Sequence, residues 1–219
     1  MMRAKKYTTI WEGPLAFFGG HKTGPNLVSL PVPTYGGAIG FHRSVFCKQE
    51  MDYIIHEVRL LGSSGTHPFT VSELSSFPKG QFFTDSFRTV RTYVLRVDVV
   101  LAVTASIVAL PSANPQDTLV KYDQMFTRRV NKGQFHGSAP TFGPKEYLIE
   151  SYRFAEPNEV LEPLDVSEDF GIQPYAQDYS DPKKPWYYAP MRMEHGVVRY
   201  PTWDEVKAFG LCRYNVGAV

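Results

Sequence analysis

Cysteine is scarce in this sequence, which has only Cys47 and Cys212 among its 219 residues. The two lie far apart and lack the paired spacing of zinc ligands, so a disulfide framework and a cysteine-based metal site are both disfavoured. Sparse cysteine is typical of proteins in a reducing compartment, where thiols stay free. The sequence therefore predicts a cytoplasmic protein with two free, buried thiols.

Long apolar runs are also missing. The longest apolar stretch, residues 97–110, contains Asp98 and alternates like a strand, and it falls short of the roughly 18 residues that a membrane span needs. The first residues carry charge but no apolar segment before Trp11, unlike a secretory signal. We expect a soluble protein without a membrane partner.

A dominant charge sign and metal-ligand clusters are absent as well. The 23 Lys and Arg residues balance 22 Asp and Glu residues, giving a net charge of +1. Affinity for a polyanion must therefore come from a local cluster of cations. The histidines show no paired ligand spacing, so the sequence predicts no metal and no other cofactor; they are His21, His42, His56, His67, His136 and His195.

Glycine and proline are plentiful instead, at 17 residues each, which indicates many turns and long loops. Thr34 is placed to cap a helix from Tyr35 to about Phe46. Three glycines, at positions 36, 37 and 40, weaken this helix by up to about 1 kcal/mol each relative to alanine. Such glycines are expected where the backbone closely approaches either a sheet or a phosphate.

A second helix is predicted after Asp117, the expected N-cap, and ends near Gly133. Its apolar stripe is Leu119, Tyr122, Phe126 and Val130. The opposite edge is basic, with Lys121, Arg128, Arg129 and Lys132. This edge is either an ordinary solvated helix face or an anion-binding surface.

A glycine loop, residues 132–145, follows that helix. It contains Gly133, Gln134 and His136 and ends at Lys145. Glycines allow backbone N–H groups to close on a phosphate, and the flanking cations supply charge. The loop is not a Walker motif, because no Gly-Lys-Ser/Thr follows and the loop comes after a helix instead of before one.

The strand candidates alternate apolar and polar residues. We predict strands at 7–11 (ended by Pro14), 53–61, 93–105, 147–154, 186–193 and 197–200, with a turn at His195-Gly196. Residues 62–90, with five phenylalanines, are too long for an ordinary connection and predict a projecting hairpin. The acidic stretch at 156–169 is expected to be solvated.

The order of these elements predicts an α+β fold. Residues 1–155 follow the βαββαβ ferredoxin-like pattern, with the hairpin at 62–90 as an insertion. Residues 156–219 are expected to form a β-rich C-terminal extension. A fold of this kind does not by itself name a function.

Three segments stand out when they are taken together and in order. They are Leu30-Pro31-Val32-Pro33-Thr34-Tyr35 followed by Gly40, the helix from Lys121-Tyr122 to Lys132-Gly133-Gln134, and Phe142-Gly143-Pro144-Lys145-Glu146-Tyr147. This ordered set resembles the type I-C-like Cas-five family of CRISPR-associated RAMP proteins. The tail, around Phe170-Gly171-Ile172 and 188–201, agrees with that family in order and spacing, so the resemblance covers about residues 7–203.

This resemblance implies a subunit of the Cascade surveillance complex in antiviral defence. Such a subunit binds and caps the 5′ handle of the CRISPR RNA and contacts the backbone and large subunits. The residues expected to bind RNA are Arg43, Arg128, Arg129, Lys132, Gly133, Gln134, His136 and Lys145.

Members of the family also cut the precursor RNA without metal. That reaction requires a base for the 2′-hydroxyl, an acid for the leaving oxygen and a cation for the phosphorane. The family's Tyr-or-His, Lys and His positions fall here on Phe46, Lys121 and Tyr122, so the usual titratable groups are partly lost. His42, one turn before Phe46, is the alternative base, and the catalytic candidates are therefore Lys121, Tyr122 and His42.

Three functions remain open at this point: an RNA-binding subunit without chemistry, a metal-independent endoribonuclease, and a ferredoxin-like domain that binds a small ligand. The first requires the cations and the glycine loop, whereas the second also requires Lys121 with Tyr122 or His42.

Overall fold

The computed structural model describes residues 5–23, 26–74, 88–110, 118–179 and 181–213. Its strands are β1 (Lys6–Ala16), β2 (Gly20–Thr23), β3 (Asn26–Ser29), β4 (Met51–Gly62), β5 (Gly65–Leu74), β6 (Arg88–Ala109), β7 (Ser151–Phe154), β8 (Glu168–Gln177), β9 (Trp186–Glu194), β10 (Val197–Arg199) and β11 (Cys212–Arg213). The helices are α1 (Tyr35–Val45), α2 (Leu119–Asn131) and α3 (Trp203–Ala208).

The described strands form one mostly antiparallel sheet. Its main path runs β11-β9-β10-β4-β6-β1-β7. β3 and β5 pair with β6, β8 pairs with β9, and β2 pairs with β3. β6 is the longest strand and pairs with β1 and β4, as well as with the β5 arm. The prediction of a mixed α/β protein rich in antiparallel strands is confirmed.

Both long helices pack on the same sheet and cover its apolar core. α1 begins after Thr34, whose side chain accepts a hydrogen bond from the N–H of Gly37, and ends at Val45 as predicted. α2 also has a threonine cap, because Thr118 Oγ1 accepts from the N–H of Lys121 at 3.3 Å. The predicted cap Asp117 is therefore wrong, and that residue lies outside the described part of the chain.

β1 is longer than predicted and continues through Pro14 to Ala16. Its second neighbour, β7, pairs only with residues Thr9 to Glu12, so beyond this point one edge of β1 has no strand beside it. A proline, which has no N–H to donate, is tolerated at such an edge position. The prediction that Pro14 ends the strand is wrong for this reason.

The predicted hairpin is present as β5 paired antiparallel with the first part of β6, from Gly65–Val97 to Leu74–Arg88. Four of its five phenylalanines, at 77, 82, 83 and 87, lie outside the described residues. The fifth, Phe69, is 49% exposed.

The C-terminal strands join the same sheet because β10 pairs with β4. The turn at His195-Gly196 is confirmed, with positive φ at both residues, the backbone of a tight hairpin turn. Gly36 of α1 faces this region: a Cβ there would lie 3.1 Å from the carbonyl oxygen of Tyr175 in β8. This glycine therefore serves the close approach to a sheet.

Three smaller expectations have mixed outcomes. Both cysteines are free, but Cys47 is half-buried and Cys212 is exposed, so the predicted burial of the thiols is wrong. β7 starts at Ser151, four residues later than predicted. Most of the acidic stretch is exposed as expected, and Glu159 forms an ion pair with Arg153.

Candidate nucleic-acid interface

A groove of about 870 Å³ lies between α1 and the loop that follows α2. Its apolar lining includes Ala139, Pro144 and the half-buried Phe17, together with Phe18 and Phe41, which are only 7% and 3% exposed. The groove has the size of a typical small-molecule site, about 300–1,000 Å³. It is the place where the predicted glycine loop meets the glycine-containing helix.

The far wall of the groove is the glycine loop, which the fold fixes at two points. At one point the N–H of His136 donates to the carbonyl oxygen of Ser44, at 2.5 Å. At the other, the N–H of Phe17 donates to the carbonyl oxygen of Phe142, at 2.8 Å. The loop therefore has a defined position relative to both α1 and the end of β1.

Gly143 is required for that second attachment. Its φ is +115°, and a Cβ at this position would lie 2.0 Å from the carbonyl oxygen of Phe17. Only glycine adopts this conformation and allows this approach without strain. Gly133 and Gly137 also have positive φ, but their surroundings are open.

The near wall is the exposed side of α1, where Gly37 and Gly40 line the groove. Nothing lies within 4 Å of a Cβ built on Gly40. The absence of a side chain here thus leaves space in the groove and is not needed for packing within the protein.

Three of the predicted RNA-binding residues line this groove: His136 and Lys145 from the glycine loop, and Arg43, which is distant from them in sequence. Arg43 is held in place by Asp52, which accepts hydrogen bonds from Arg43 Nε at 3.2 Å and from Nη2 at 2.7 Å. Within the described part of the chain, Lys145 forms no ion pair, so its charge is available to a ligand.

The basic edge of α2 separates into two kinds of residue. Arg128 and Lys132 are exposed and make no ion pair with any described residue. Arg129 instead donates a hydrogen bond from Nη1 to the carbonyl oxygen of Val45, at 2.9 Å. Its guanidinium also lies over the ring of Phe46, 5.4 Å from the centroid.

Gly133 and Gln134 close the C-terminal end of α2. Their N–H groups donate to the carbonyl oxygens of Val130 at 3.1 Å and Arg129 at 2.9 Å, as in a helix that ends with a left-handed glycine. The backbone donors of these two residues are therefore already used within the fold.

Two of the positions that correspond to the family's catalytic groups lie close together, because the ring centroids of Phe46 and Tyr122 are 6.4 Å apart. The third, Lys121, precedes Tyr122 in α2. Phe46 and Tyr122 are almost fully buried, at 1% and 2% exposure, whereas Lys121 is exposed.

His42 lies in the core and not in a cleft. Its side chain is fully buried, its Nε2 is 3.2 Å from Thr9 Oγ1, and its Nδ1 is 3.0 Å from the carbonyl oxygen of Ala38. Burial lowers the pKa of His42 to about 4. The expectation that His42 reaches the same cleft as the Phe46 position is wrong, because its imidazole points between the helix and the sheet.

Several groove residues were not anticipated from the sequence. Phe17 and Phe18, just after β1, form part of the apolar lining, and Asp52 orients Arg43. The only sequence signal was the doublet of phenylalanines followed by Gly19 and Gly20. Asp52 gave no signal, because its role depends on how β4 lies beside α1.

Two surveys of the described residues complete the description of the site. No group of three or more His, Cys, Asp or Glu side chains is arranged to hold a metal ion in the described ranges. No helix among them is both long enough and apolar enough to cross a membrane.

No family model matches the sequence. The chain is 31% identical over 145 residues to the CRISPR pre-crRNA endoribonuclease Cas5d of Thermus thermophilus, a match that covers 66% of this chain. The match spans 62% of the length of that relative.

Two solved structures have the same overall fold, each with a TM-score of 0.69. One is a crystal structure of a CRISPR-associated protein, 19% identical, with 94% of this chain and 96% of that chain covered. The other is the functionally uncharacterized protein SMU1763c from Streptococcus mutans, 17% identical, with coverage of 94% and 97%. At such identities these two likenesses show the fold alone. The sequence match to Cas5d confirms the predicted resemblance to the Cas-five family over the matched residues.

Proposed function

We propose that this protein is a subunit of a CRISPR type I, I-C-like, Cascade complex that binds and caps the 5′ handle of the CRISPR RNA. The observation that carries the proposal is the convergence of Arg43, His136 and Lys145 on one groove. Arg43 is ion-paired with Asp52, so Lys145 supplies most of the local positive field that a phosphate would meet there. The exposed cations Arg128 and Lys132 lie on and just after α2, outside the lining of the groove. The Cas5d relative, described as acting on pre-crRNA, supports the same ligand.

The proposed framework is a ferredoxin-like RAMP domain over residues 1–155 with a β-rich extension over 156–219. The adjacent strands β4-β6-β1-β7 support it, because their order, with α1 after β1 and α2 after β6, matches the βαββαβ pattern. The proposed partners are the CRISPR RNA and the backbone and large subunits of Cascade, and the proposed compartment is the cytoplasm.

RNA binding measured as a function of salt tests the proposal. The pure protein is titrated with its own repeat RNA, and the slope of log K against log salt is compared for the wild type and Lys145→Ala. We expect the variant to bind more weakly and with a slope smaller by about 0.7, the value for one contact to a single-stranded phosphate. Arg213→Ala, an exposed cation of β11 away from the groove, is the control. Failure of the wild type to bind RNA, or equal slopes for all three proteins, would contradict the proposal.

A second candidate function is metal-independent cleavage of precursor CRISPR RNA. It is favoured by the activity in the name of the Cas5d relative and by the proximity of Phe46 and Tyr122, the residue that follows Lys121. The burial of Tyr122 and His42 argues against it, because a general base must reach the 2′-hydroxyl. For this reason the primary proposal is a subunit that binds without efficient cleavage.

Incubation of the repeat RNA with the protein in EDTA separates the two candidates. Cleavage through the 2′-hydroxyl would leave 5′-hydroxyl and 2′,3′-cyclic phosphate ends, and Lys121→Ala would abolish it because the phosphorane would lose its cation. The binding proposal expects the RNA to stay intact or to be cut only slowly. Rapid cleavage by the Lys121→Ala variant would contradict both candidate functions. The first expects no efficient cleavage, and the second assigns the cation that stabilises the phosphorane to Lys121.

A further inference from the structure

The groove has a composition that a phosphate site alone does not require. Its cations stand beside an apolar lining in which Phe17 is the half-buried aromatic ring and Ala139 and Pro144 add further apolar surface. Phe18 and Phe41 lie behind this lining and are only 7% and 3% exposed. A phosphate gains nothing from apolar surface, whereas a nucleobase removed from its stack gains contact with aromatic side chains. The lining thus fits the uncharged part of a nucleotide.

The shape of the groove supports the same ligand. Gly40 leaves open space on the α1 wall, and Gly37 lies one turn before it. The volume of about 870 Å³ is ample for a single planar ring system with its ribose. Positioned cations and an open apolar lining occur here in one concave site.

The charges define how a nucleotide would enter. Arg43 is oriented by its two hydrogen bonds to Asp52, and Lys145 stands on the opposite wall. Backbone phosphates on either side of one inserted base would meet these two cations, and His136 provides a further polar contact. The first acidic residue after the glycine loop is Glu146, which directly follows Lys145.

We propose that the groove between α1 and the glycine loop seats one unstacked nucleobase of the bound RNA, with the adjoining phosphates at Arg43 and Lys145. This inference rests on the proposed function, since it names the part of the RNA that this site takes. It makes the site selective for a position in the RNA where a base can be splayed out, and not for phosphate charge alone.

The test combines a variant whose new side chain fills the groove with a series of RNAs that each lack one base. Gly40→Leu adds a side chain into open space at a helical position where leucine is a better helix former than glycine. The matched control is Ala208→Leu, which places the same side chain at an exposed position of α3 that does not line the groove. Circular dichroism and thermal unfolding verify that both variants fold.

Binding is measured with the repeat's 5′-handle RNA and with a series in which each nucleotide in turn is made abasic. In the wild type, removal of one particular base should weaken binding roughly tenfold or more, the scale of one base–aromatic contact. In Gly40→Leu that position should lose its effect, because the intact RNA already binds as weakly as the abasic one. Ala208→Leu should retain the wild-type profile.

The outcomes are distinguishable. If the wild type binds no RNA, the proposed function fails. If it binds with a flat abasic profile, RNA binding stands and the base-seating proposal is overturned. If Gly40→Leu keeps the wild-type profile but no longer associates with partner subunits, the groove is a protein-docking site and the proposal is likewise overturned.

Discussion

Arg129 of α2 donates a hydrogen bond of 2.9 Å to the main-chain carbonyl oxygen of Val45, the last residue of α1. One of the four carbonyls that every helix end leaves without an internal partner is satisfied in this way. The same guanidinium covers the ring of Phe46. A side chain that belongs to the basic edge of α2 in the sequence thus joins the two helices in the structure.

This relationship predicts different effects for two adjacent arginines. Arg129→Ala should lower the free energy of unfolding by about 1–3 kcal/mol, because a charge-assisted hydrogen bond is lost and a carbonyl loses its partner. Arg128→Ala, at an exposed position, should leave stability unchanged within about 0.5 kcal/mol but weaken RNA binding and reduce its salt slope.

Urea unfolding and RNA titrations across salt measure the two effects separately. Each arginine serves as the control for the other, since both variants remove the same charge from α2. Equal stability of the two variants would show that the Val45 contact contributes nothing to the fold.

The buried histidine predicts a specific pH dependence. In the folded protein the pKa of His42 is about 4, and in the unfolded chain it is about 6.5. Between these two pH values the unfolded state therefore binds more protons than the folded state. The contribution of neutral, buried His42 to the free energy of unfolding is complete above about pH 6.5 and falls as the pH drops toward 4. The expected loss is about 3 kcal/mol in the free energy of unfolding.

Chemical unfolding at a series of pH values, compared between the wild type and His42→Gln, isolates this contribution. The variant's stability should fall less steeply with acidification. His195→Gln is a control whose effect on the pH dependence of stability should have the opposite sign, because Asp165 raises the pKa of the exposed His195. Parallel profiles for the wild type and His42→Gln would contradict the assignment.

Two glycines of the groove should respond in opposite ways to alanine. Gly143→Ala should lose roughly 2–4 kcal/mol of stability, because its φ is strained for alanine and the new Cβ would collide with the carbonyl oxygen of Phe17. Gly40→Ala should gain about 1 kcal/mol, since it occupies a helical position with open space. Thermal unfolding of both variants checks this, and a tolerated Gly143→Ala would contradict the close approach of the loop to β1.

The hairpin should be dispensable for folding but not for assembly. Its arms leave Phe69, Leu74 and Val90 exposed at 49%, 44% and 61%, more apolar surface than an isolated hairpin needs. Thr70 and Thr92 lie directly opposite each other, so Asn-Gly in place of residues 71–91 should close the shortened hairpin with a two-residue turn. We expect the melting temperature to be retained and co-purification with Cascade subunits to be lost.

A milder truncation removes only residues 75–85, which lie outside the described residues, and tests whether the sequence between β5 and β6 carries the contact. Retained assembly in both variants would remove the docking role. Unfolding of both would show that the hairpin is part of the core instead.

Local sequence signals determined the elements of this protein. Thr34 and Gly133 define helix ends through the backbone groups they satisfy or the conformation they permit, and the alternation along β6 places its apolar side chains toward the helices. The resemblance to the Cas-five family could also be found from the sequence, because each of the segments that carry it is a short contiguous run of residues. Predicted strand ends were wrong where a neighbouring strand determines them. Pro14, for example, is tolerated within β1 because β7 has stopped pairing before that point.

The site itself was decided by the tertiary structure. From the sequence, His42 and Arg129 were a helix histidine and one of several cations, and only packing shows that the first is enclosed in the core and the second is bonded to Val45. The groove joins Phe17, α1 and the glycine loop, segments whose approach depends on long-range sheet pairing and on the conformation of Gly143. A side chain's residue type sets what chemistry it can perform, but its burial and its partners, which arise only when distant segments pack, determine whether it performs that chemistry here.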